Sequence, residues 1–293
     1  MKKFALIGGA GFVAPRHMKA IKDTGNEIVA ILDPHDSIGI IDSYFPDASF
    51  FTEFERFDRH LEKLKRNNQG VDFISICSPN YLHDAHCRMA LRLDADAICE
   101  KPLVLNPWNL DQLQEIENET KKKIYSILQL RLHPEIKKLK EEMKDGKHLV
   151  DLRYITPRGK WYGRSWKGDE TKSGGLATNI GIHLFDVLLW LFGKVQKIEV
   201  NCKTNEMVSG IMELERANVV WFLSLNRSDI PSGEKNRNFY RQMIVDGKEV
   251  RFDNVFNELH TEAYKQILDG NGFGIKDVRP SIELTFKIRE EKI

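Results

Sequence analysis

A short apolar run, Phe4 to Ile7, breaks into Gly8-Gly9-Ala10-Gly11 and then into a helical pattern from Pro15 to Asp23, closed by Gly25. A strand that empties into glycines before a helix is how a βαβ unit begins. The pattern then repeats. Strand signals fall at Glu27–Leu32, Ser49–Phe51, Val71–Cys77, Ala95–Cys99 and Lys123–Leu128, and helical ones at Glu53–Asn68, Tyr81–Leu93 and Asn109–Lys122. Strands alternating with helices of this length predict a parallel sheet with right-handed crossovers.

The second half reads differently. One strong apolar helix lies within Ser173–Gly193, followed by strand runs at Gln196–Lys203, Met207–Leu214, Val219–Asn226, Arg241–Val245 and Lys248–Asp253. The last two flank Asp246-Gly247, a pair suited to a tight hairpin turn. The expected fold is α/β: an N-terminal Rossmann parallel sheet over residues 1–125, then a C-terminal α+β domain over residues 126–293 with a large, mostly antiparallel sheet and helices on one face. The boundary is expected near Lys123–Arg131. Ser281–Ile293, amphipathic and then charged, is expected to be a terminal helix returning toward the first domain.

Composition narrows the class. The chain of 293 residues is 41% apolar, enough for a core in each half. Its 44 Lys and Arg against 43 Asp and Glu give a net charge of +1, so no global field draws it to nucleic acid or an anionic membrane. The apolar run Ile182–Phe192 falls short of the ~20 residues of a membrane span. Lys2-Lys3 begins like a secretory leader, but the glycines interrupt the apolar stretch at once. Cys77, Cys87, Cys99 and Cys202 show no C-x-x-C spacing and read as reduced thiols, which points to the cytoplasm. No metal site is expected.

The glycines follow Gly-x-x-Gly-x-x-Ala spacing, one residue longer than the usual dinucleotide fingerprint. They permit a tight turn and close approach of backbone N–H groups to a pyrophosphate at a helix N-terminus. Asp33 ends the second strand 25 residues after Gly8. A carboxylate there suits the ribose hydroxyls and repels the 2′-phosphate of NADP, and His35-Asp36-Ser37 contains no arginine to receive one, so NAD is the expected cofactor. Ser78-Pro79-Asn80 and Glu100-Lys101-Pro102 each follow a parallel strand, where ligands of open sheets lie. Lys101 can hydrogen-bond a reacting hydroxyl or, with a depressed pKa, take its proton. Asn179 and His183 stand at i and i+4 on a helix, with Asp186 three residues on, and His183 can relay a proton near neutral pH. Arg153 to Lys167 carries five basic residues, no acid, and Trp161, Tyr162 and Trp166, a mix that matches diphosphate or carboxylate groups and sugar faces.

The glycine turn, Ser78-Pro79-Asn80-x-x-His83, Glu100-Lys101-Pro102, Gly174-Gly175 and Gly181-x-His183-x-x-Asp186, taken in order, resemble the Gfo/Idh/MocA family of sugar and cyclitol dehydrogenases. Ala14–Lys19, Ile41–Pro46 and Phe51–His60 resemble a branch of it, the bacterial UDP-N-acetylglucosaminuronate 3-dehydrogenases (WlbA/WbpB type) of O-antigen lipopolysaccharide synthesis. The resemblance implies oxidation of a sugar C-3 hydroxyl by NAD, with Lys101 and His183 flanking the carbinol, and a dimer or tetramer. Family members often carry Asp where this chain has Asn179, and an amide cannot stabilise an imidazolium as a carboxylate does, so either Lys101 or His183 is left as the base. The implied cofactor shell is Gly8, Gly11, Phe12, Val13, Asp33, Asp36, Ser37, Ser78, Pro79, Asn80, His83, Glu100, Lys101, Gln129 and Trp166. The implied substrate shell is Lys101, Arg131, Arg158, Lys160, Tyr162, Ser165, Asn179 and His183. Another sugar dehydrogenase, an NAD-dependent glycosidase and a non-catalytic NAD-sensing regulator are the alternatives, and NADH is either released or recycled in place by a 2-oxo acid.

Overall fold

In the computed structural model, residues 1–251 and 258–291 are described. The strand expected as far as Asp253 therefore runs partly outside the described residues. The chain forms two compact units, residues 1–129 with 256–278 and residues 130–255 with 279–293.

The first unit is built on β1 (Lys3–Ile7), β2 (Glu27–Leu32), β3 (Ser49–Phe51), β4 (Phe73–Ile76), β5 (Asp96–Cys99) and β6 (Ile124–Ser126), all parallel, in the order β3-β2-β1-β4-β5-β6. The strand order reverses between β1 and β4, so their carboxyl ends diverge to open a crevice. Every residue of β4 is buried, as a sheet covered on both faces requires. The expected helices appear as Ala14–Asp23, Phe54–Arg66, His83–Arg92 and Pro107–Thr120.

The terminal helix departs from expectation. The segment that joins the first unit is 256–278, and residues from 279 onward belong to the second. The reason lies in the helix Leu259–Leu268, which packs against the helix Ala14–Asp23 and buries Leu259, His260, Ala263, Tyr264 and Ile267 on one face.

The second unit holds β7 (His148–Ile155), β8 (Val195–Lys203), β9 (Met207–Leu214), β10 (Ala217–Ser224), β11 (Tyr240–Val245) and β12 (Lys248–Val250), in the order β12-β11-β7-β10-β9-β8. All neighbours are antiparallel except β7 and β10. The sequence reading did not find β7, which sits at the centre. At the hairpin between β11 and β12, Asp246 and Gly247 both have positive φ, 49° and 78°, as a two-residue turn of matching twist demands.

Alternation divides this sheet into an inner and an outer face. Trp221 points inward and meets Phe185 of the helix Ile182–Phe192 edge-on at 5.3 Å. Gly181 makes that approach possible, because a Cβ there would come within 2.6 Å of Leu223 on β10. The helical run Glu170–Phe192 is long and apolar enough to cross a membrane by composition, but 78% of its most apolar window is buried in protein, as befits a core helix. Outward, Leu149, Ile211 and Val220 remain exposed.

A buried ion pair anchors this core. Arg131 donates from Nε and Nη2 to the two carboxylate oxygens of Asp186, at 2.8 and 2.7 Å. Removing one partner strands a buried charge, so Arg131→Met is expected to cost about 3–5 kcal/mol, read as a lower urea midpoint, and Arg131→Met with Asp186→Leu to recover most of it.

Candidate active site

At the end of β1 the chain turns at Gly8 with φ +87°. A Cβ at that position would lie 2.7 Å from the carbonyl carbon and oxygen of Cys77. Only glycine lets this turn rest on the end of β4. The N–H groups of Gly8 and Gly9 both donate to Leu32 O, at 2.8 and 3.2 Å, which joins the turn to β2.

Asp33 completes the turn. Its Oδ2 accepts the Ala10 N–H and its Oδ1 the His35 N–H, both at 2.9 Å. An ionised carboxylate has about four acceptor positions, so the acid can brace the loop and still receive ribose hydroxyls. The helix beginning at Ala14 has Pro15 in its first turn, no side-chain cap among the described residues and no acid in the first turn. The Ala14 and Arg16 N–H groups donate to Gly11 O and Val13 O, at 3.1 and 3.0 Å, and Pro15 has none, so what this helix start offers a pyrophosphate is the positive end of its dipole. Phe12 stands at the tip of the loop, 89% exposed, with the Arg16 guanidinium 5.4 Å from its ring. Asp36 and Ser37 are exposed beyond β2, while Val13 is half-buried. These residues fit a dinucleotide.

The turns after β4 and β5 are fastened to each other. His83, expected beside the cofactor, is buried and bridges them: Nδ1 lies 2.7 Å from Pro102 O and Nε2 2.8 Å from Ser78 O. Ser78 Oγ pairs with His86 Nδ1 at 2.9 Å. Asn80 is buried and Pro79 half-buried in the same turn. Lys101 is half-buried and joined to Pro102 by a cis peptide bond. Glu100, expected on the cofactor, has its carboxylate inside the first unit, with His17 Nε2 and His260 Nε2 at 3.0 and 3.1 Å from Oε1. Gln129, the last residue of this part of the unit, is buried.

In the second unit Asn179 lies in a five-residue π turn, Ala177–Gly181, where a regular α-helix was expected. The wider turn places Asn179 and the half-buried His183 about one turn apart, and such turns are frequent at functional sites. Asn179 Nδ2 donates to Tyr162 Oη at 2.7 Å, and burial pushes the Tyr162 phenol upward. Ser165 Oγ donates to Tyr162 O and accepts the Lys167 N–H. The Lys167 ammonium sits 4.3 Å from the Trp166 ring. Beside Tyr162 and Lys167 a cavity of about 500 Å³ is lined also by Arg158, Lys160, Arg164 and Lys203, with Glu170 and Glu206 as its acids; Asn179, His183, Ser165 and Trp166 are not among its lining residues. Its excess of cations suits an anionic ligand. Arg131, expected on the substrate, has its guanidinium on Asp186.

Sequence reading passed over Ser75, His86, His260 and Tyr264, and it noted His17 only within a motif. Their signal is weak, since His260 and Tyr264 merely share a helix face at i and i+4, where core residues are the commoner occupants.

A parallel sheet with a glycine turn after β1 and an acid after β2 defines a protein of the Rossmann, dinucleotide-binding class. Residues 2–128 match the description "Oxidoreductase family, NAD-binding Rossmann fold", and residues 148–231 match "Oxidoreductase family, C-terminal alpha/beta domain". The chain belongs to the Gfo/Idh/MocA oxidoreductase family, and NAD is its cofactor. It is similar to the WlbA (WbpB) dehydrogenase of Thermus thermophilus, solved with NAD and alpha-ketoglutarate, at 49% identity and TM-score 0.98 over 100% of this chain and 96% of that one. The same Thermus enzyme solved with NAD and UDP-GlcNAcA matches at 48% identity, TM-score 0.97 and the same coverage. An inositol 2-dehydrogenase of Corynebacterium glutamicum is 27% identical over 73% of this chain, and D-glucoside 3-dehydrogenase of Escherichia coli 28% identical over 42%. The chain spans 62% and 36% of those two enzymes' lengths.

Gly8→Ala, with its Cβ driven into the Cys77 carbonyl, is expected to weaken NAD binding at least about tenfold by isothermal titration calorimetry. A pH effect follows from His86, whose pKa burial lowers from 6.5 to about 4. Between those values the unfolded chain binds a proton that the folded chain refuses, so stability falls as pH drops from 6.5 toward 4, by up to about 3 kcal/mol. His17 and His83 are shifted in the same sense by burial. Urea midpoints across that range are expected to fall with pH, and His86→Leu to flatten part of the slope.

Proposed function

We propose that this chain is an NAD-dependent dehydrogenase that oxidises the C-3 hydroxyl of a UDP-N-acetylglucosaminuronic acid-type nucleotide sugar to a ketone. The observation that carries this reading is the full-length likeness to the Thermus enzyme that binds NAD and UDP-GlcNAcA. A place in O-antigen lipopolysaccharide sugar synthesis in the cytoplasm belongs to the same proposal.

Bound NAD supplies a hydride acceptor. The residues of the chain must then bind the sugar nucleotide and take the hydroxyl proton. Lys101 is assigned the contact to the reacting hydroxyl, and His183 shares the proton, either amine or imidazole serving as base. Asn179, with its amide nitrogen committed to Tyr162, is assigned to substrate orientation. Arg158, Lys160, Arg164 and Lys167 are assigned to the anionic groups of the substrate, since their cavity carries the matching charge. Tyr162 and Ser165 hold that segment in shape.

The outer face of the second sheet, with Leu149, Ile211 and Val220 exposed, supports a homo-oligomer that covers it.

The test mixes purified protein, first discharged of NADH with 2-oxoglutarate, with NAD and UDP-N-acetylglucosaminuronic acid, and follows absorbance of reduced nicotinamide. Reduction is expected, and Lys101→Met is expected to slow it about 10²- to 10⁴-fold with the fold intact by circular dichroism. Release of a free sugar with no net reduction would assign a glycosidase instead.

A further inference from the structure

Five buried polar side chains form a connected relay behind the Lys101 turn, and oxidation of an alcohol does not itself call for them. They are Ser75 on β4, His17 on the helix Ala14–Asp23, Glu100 at the end of β5, and His260 and Tyr264 on the helix Leu259–Leu268. Four are wholly buried and Glu100 nearly so. Ser75 Oγ meets Tyr264 Oη at 2.7 Å, and Tyr264 Oη meets His17 Nδ1 at 2.7 Å. Both His17 Nε2 and His260 Nε2 converge on Glu100 Oε1, at 3.0 and 3.1 Å. The other oxygen, Oε2, accepts the Lys101 N–H at 3.2 Å.

These contacts, taken with the effect of burial on Glu100 and His17, fit one arrangement of protons. Burial pushes the Glu100 carboxyl up, but the hydrogen bonds from His17 and His260 outweigh it and hold the group well below the usual carboxylate range. An ionised carboxylate only accepts, so both Nε2 atoms carry protons. Burial keeps His17 neutral, which leaves its Nδ1 bare and able to accept the Tyr264 O–H. Tyr264, whose phenol burial also pushes well up, then accepts from Ser75. His260 Nδ1 has no hydrogen-bond partner among the described residues, which suits a bare nitrogen better than an orphaned donor.

We propose that Glu100 is a positioning residue for Lys101: its carboxylate, held by His17 and His260 on one oxygen, uses the other to fix the backbone from which the Lys101 amine projects. The proposal rests on the assignment of Lys101 to the reacting hydroxyl. It makes His260, 160 residues away in sequence, part of the support of the site. Desolvating a carboxylate costs several kcal/mol, a cost that an apolar residue at position 100 would avoid and that the histidine donors offset here. The donor atoms of His17, Glu100 and His260 lie within 4.8 Å of one another, close enough for a metal ion, but the nitrogen–oxygen separations are those of N–H···O bonds.

The test compares the NAD-loaded enzyme with His260→Leu, His260→Gln and Lys101→Met, measuring kcat, KM and Tm for each. Glutamine carries an N–H donor near the place of the imidazole Nε2, and leucine does not. His260→Leu is expected to lower kcat about 10- to 100-fold with KM within about twofold, and His260→Gln to return kcat to within about threefold of the parent. Histidine ¹⁵N spectra of the parent at neutral pH are expected to show protonated Nε2 on both His17 and His260. The proposal is overturned if leucine and glutamine act alike on kcat, if either Nε2 lacks its proton, or if the purified protein carries a stoichiometric transition metal. Should His260→Leu not fold, Tyr264→Phe takes its place, expected to lower kcat by a smaller factor at unchanged KM, and the spectra stand without any variant. A fully active Lys101→Met would sink the assignment of Lys101 to the reacting hydroxyl and this proposal with it, whereas a slow Lys101→Met beside an unimpaired His260→Leu would sink the positioning role alone.

Discussion

The absence of one methyl group shapes the cofactor edge of this protein. Because residue 8 has no Cβ, the turn after β1 lies directly on the Cys77 carbonyl at the end of β4. From that contact the rest of the edge follows. Gly8 and Gly9 reach Leu32, Asp33 reaches back to Ala10, and the helix at Ala14 begins with no acid in its first turn to oppose an anion. His83 then ties the turn after β4 to the turn after β5, so three strand ends behave as one rigid rim. Preorganisation of this kind lets a dinucleotide bind without ordering the loop that receives it.

Charge inside the protein is spent in a few places. Glu100 in the first unit and the Arg131–Asp186 pair in the second are buried and fully engaged. Such groups add little net stability compared with apolar residues of the same shape, but losing one partner is costly. They fix geometry, in one case the backbone of Lys101 and in the other the base of the helix that carries His183. The cations of the Arg158–Lys167 segment, by contrast, largely face solvent or the cavity, where they can meet a ligand.

Much of this was legible in the chain itself. The parallel strands were readable because strands covered on both faces are short apolar runs bounded by glycine, proline and asparagine, as at Ile7-Gly8 and Cys77-Ser78-Pro79. The hairpin at Asp246-Gly247 was readable because that pair accepts positive φ. β7 escaped because the alternation of Val150-Asp151-Leu152-Arg153 is short and its start reads the wrong way round, with polar His148 buried and apolar Leu149 exposed. The π turn at Asn179 escaped because no local residue preference announces it. Arg131 read as a ligand contact because an arginine beside a cleft and an arginine in a core pair look the same until Asp186 is placed. The relay of His17, His260 and Tyr264 escaped because its members meet only through tertiary packing.

The most direct measurement follows the hydrogen at C-3. UDP-N-acetylglucosaminuronic acid deuterated at that carbon, incubated with the protein and NAD, should yield reduced dinucleotide carrying the deuterium, as mass spectrometry would show. Reduced dinucleotide without the label, or a label that stays on an unoxidised sugar, would contradict a C-3 dehydrogenase.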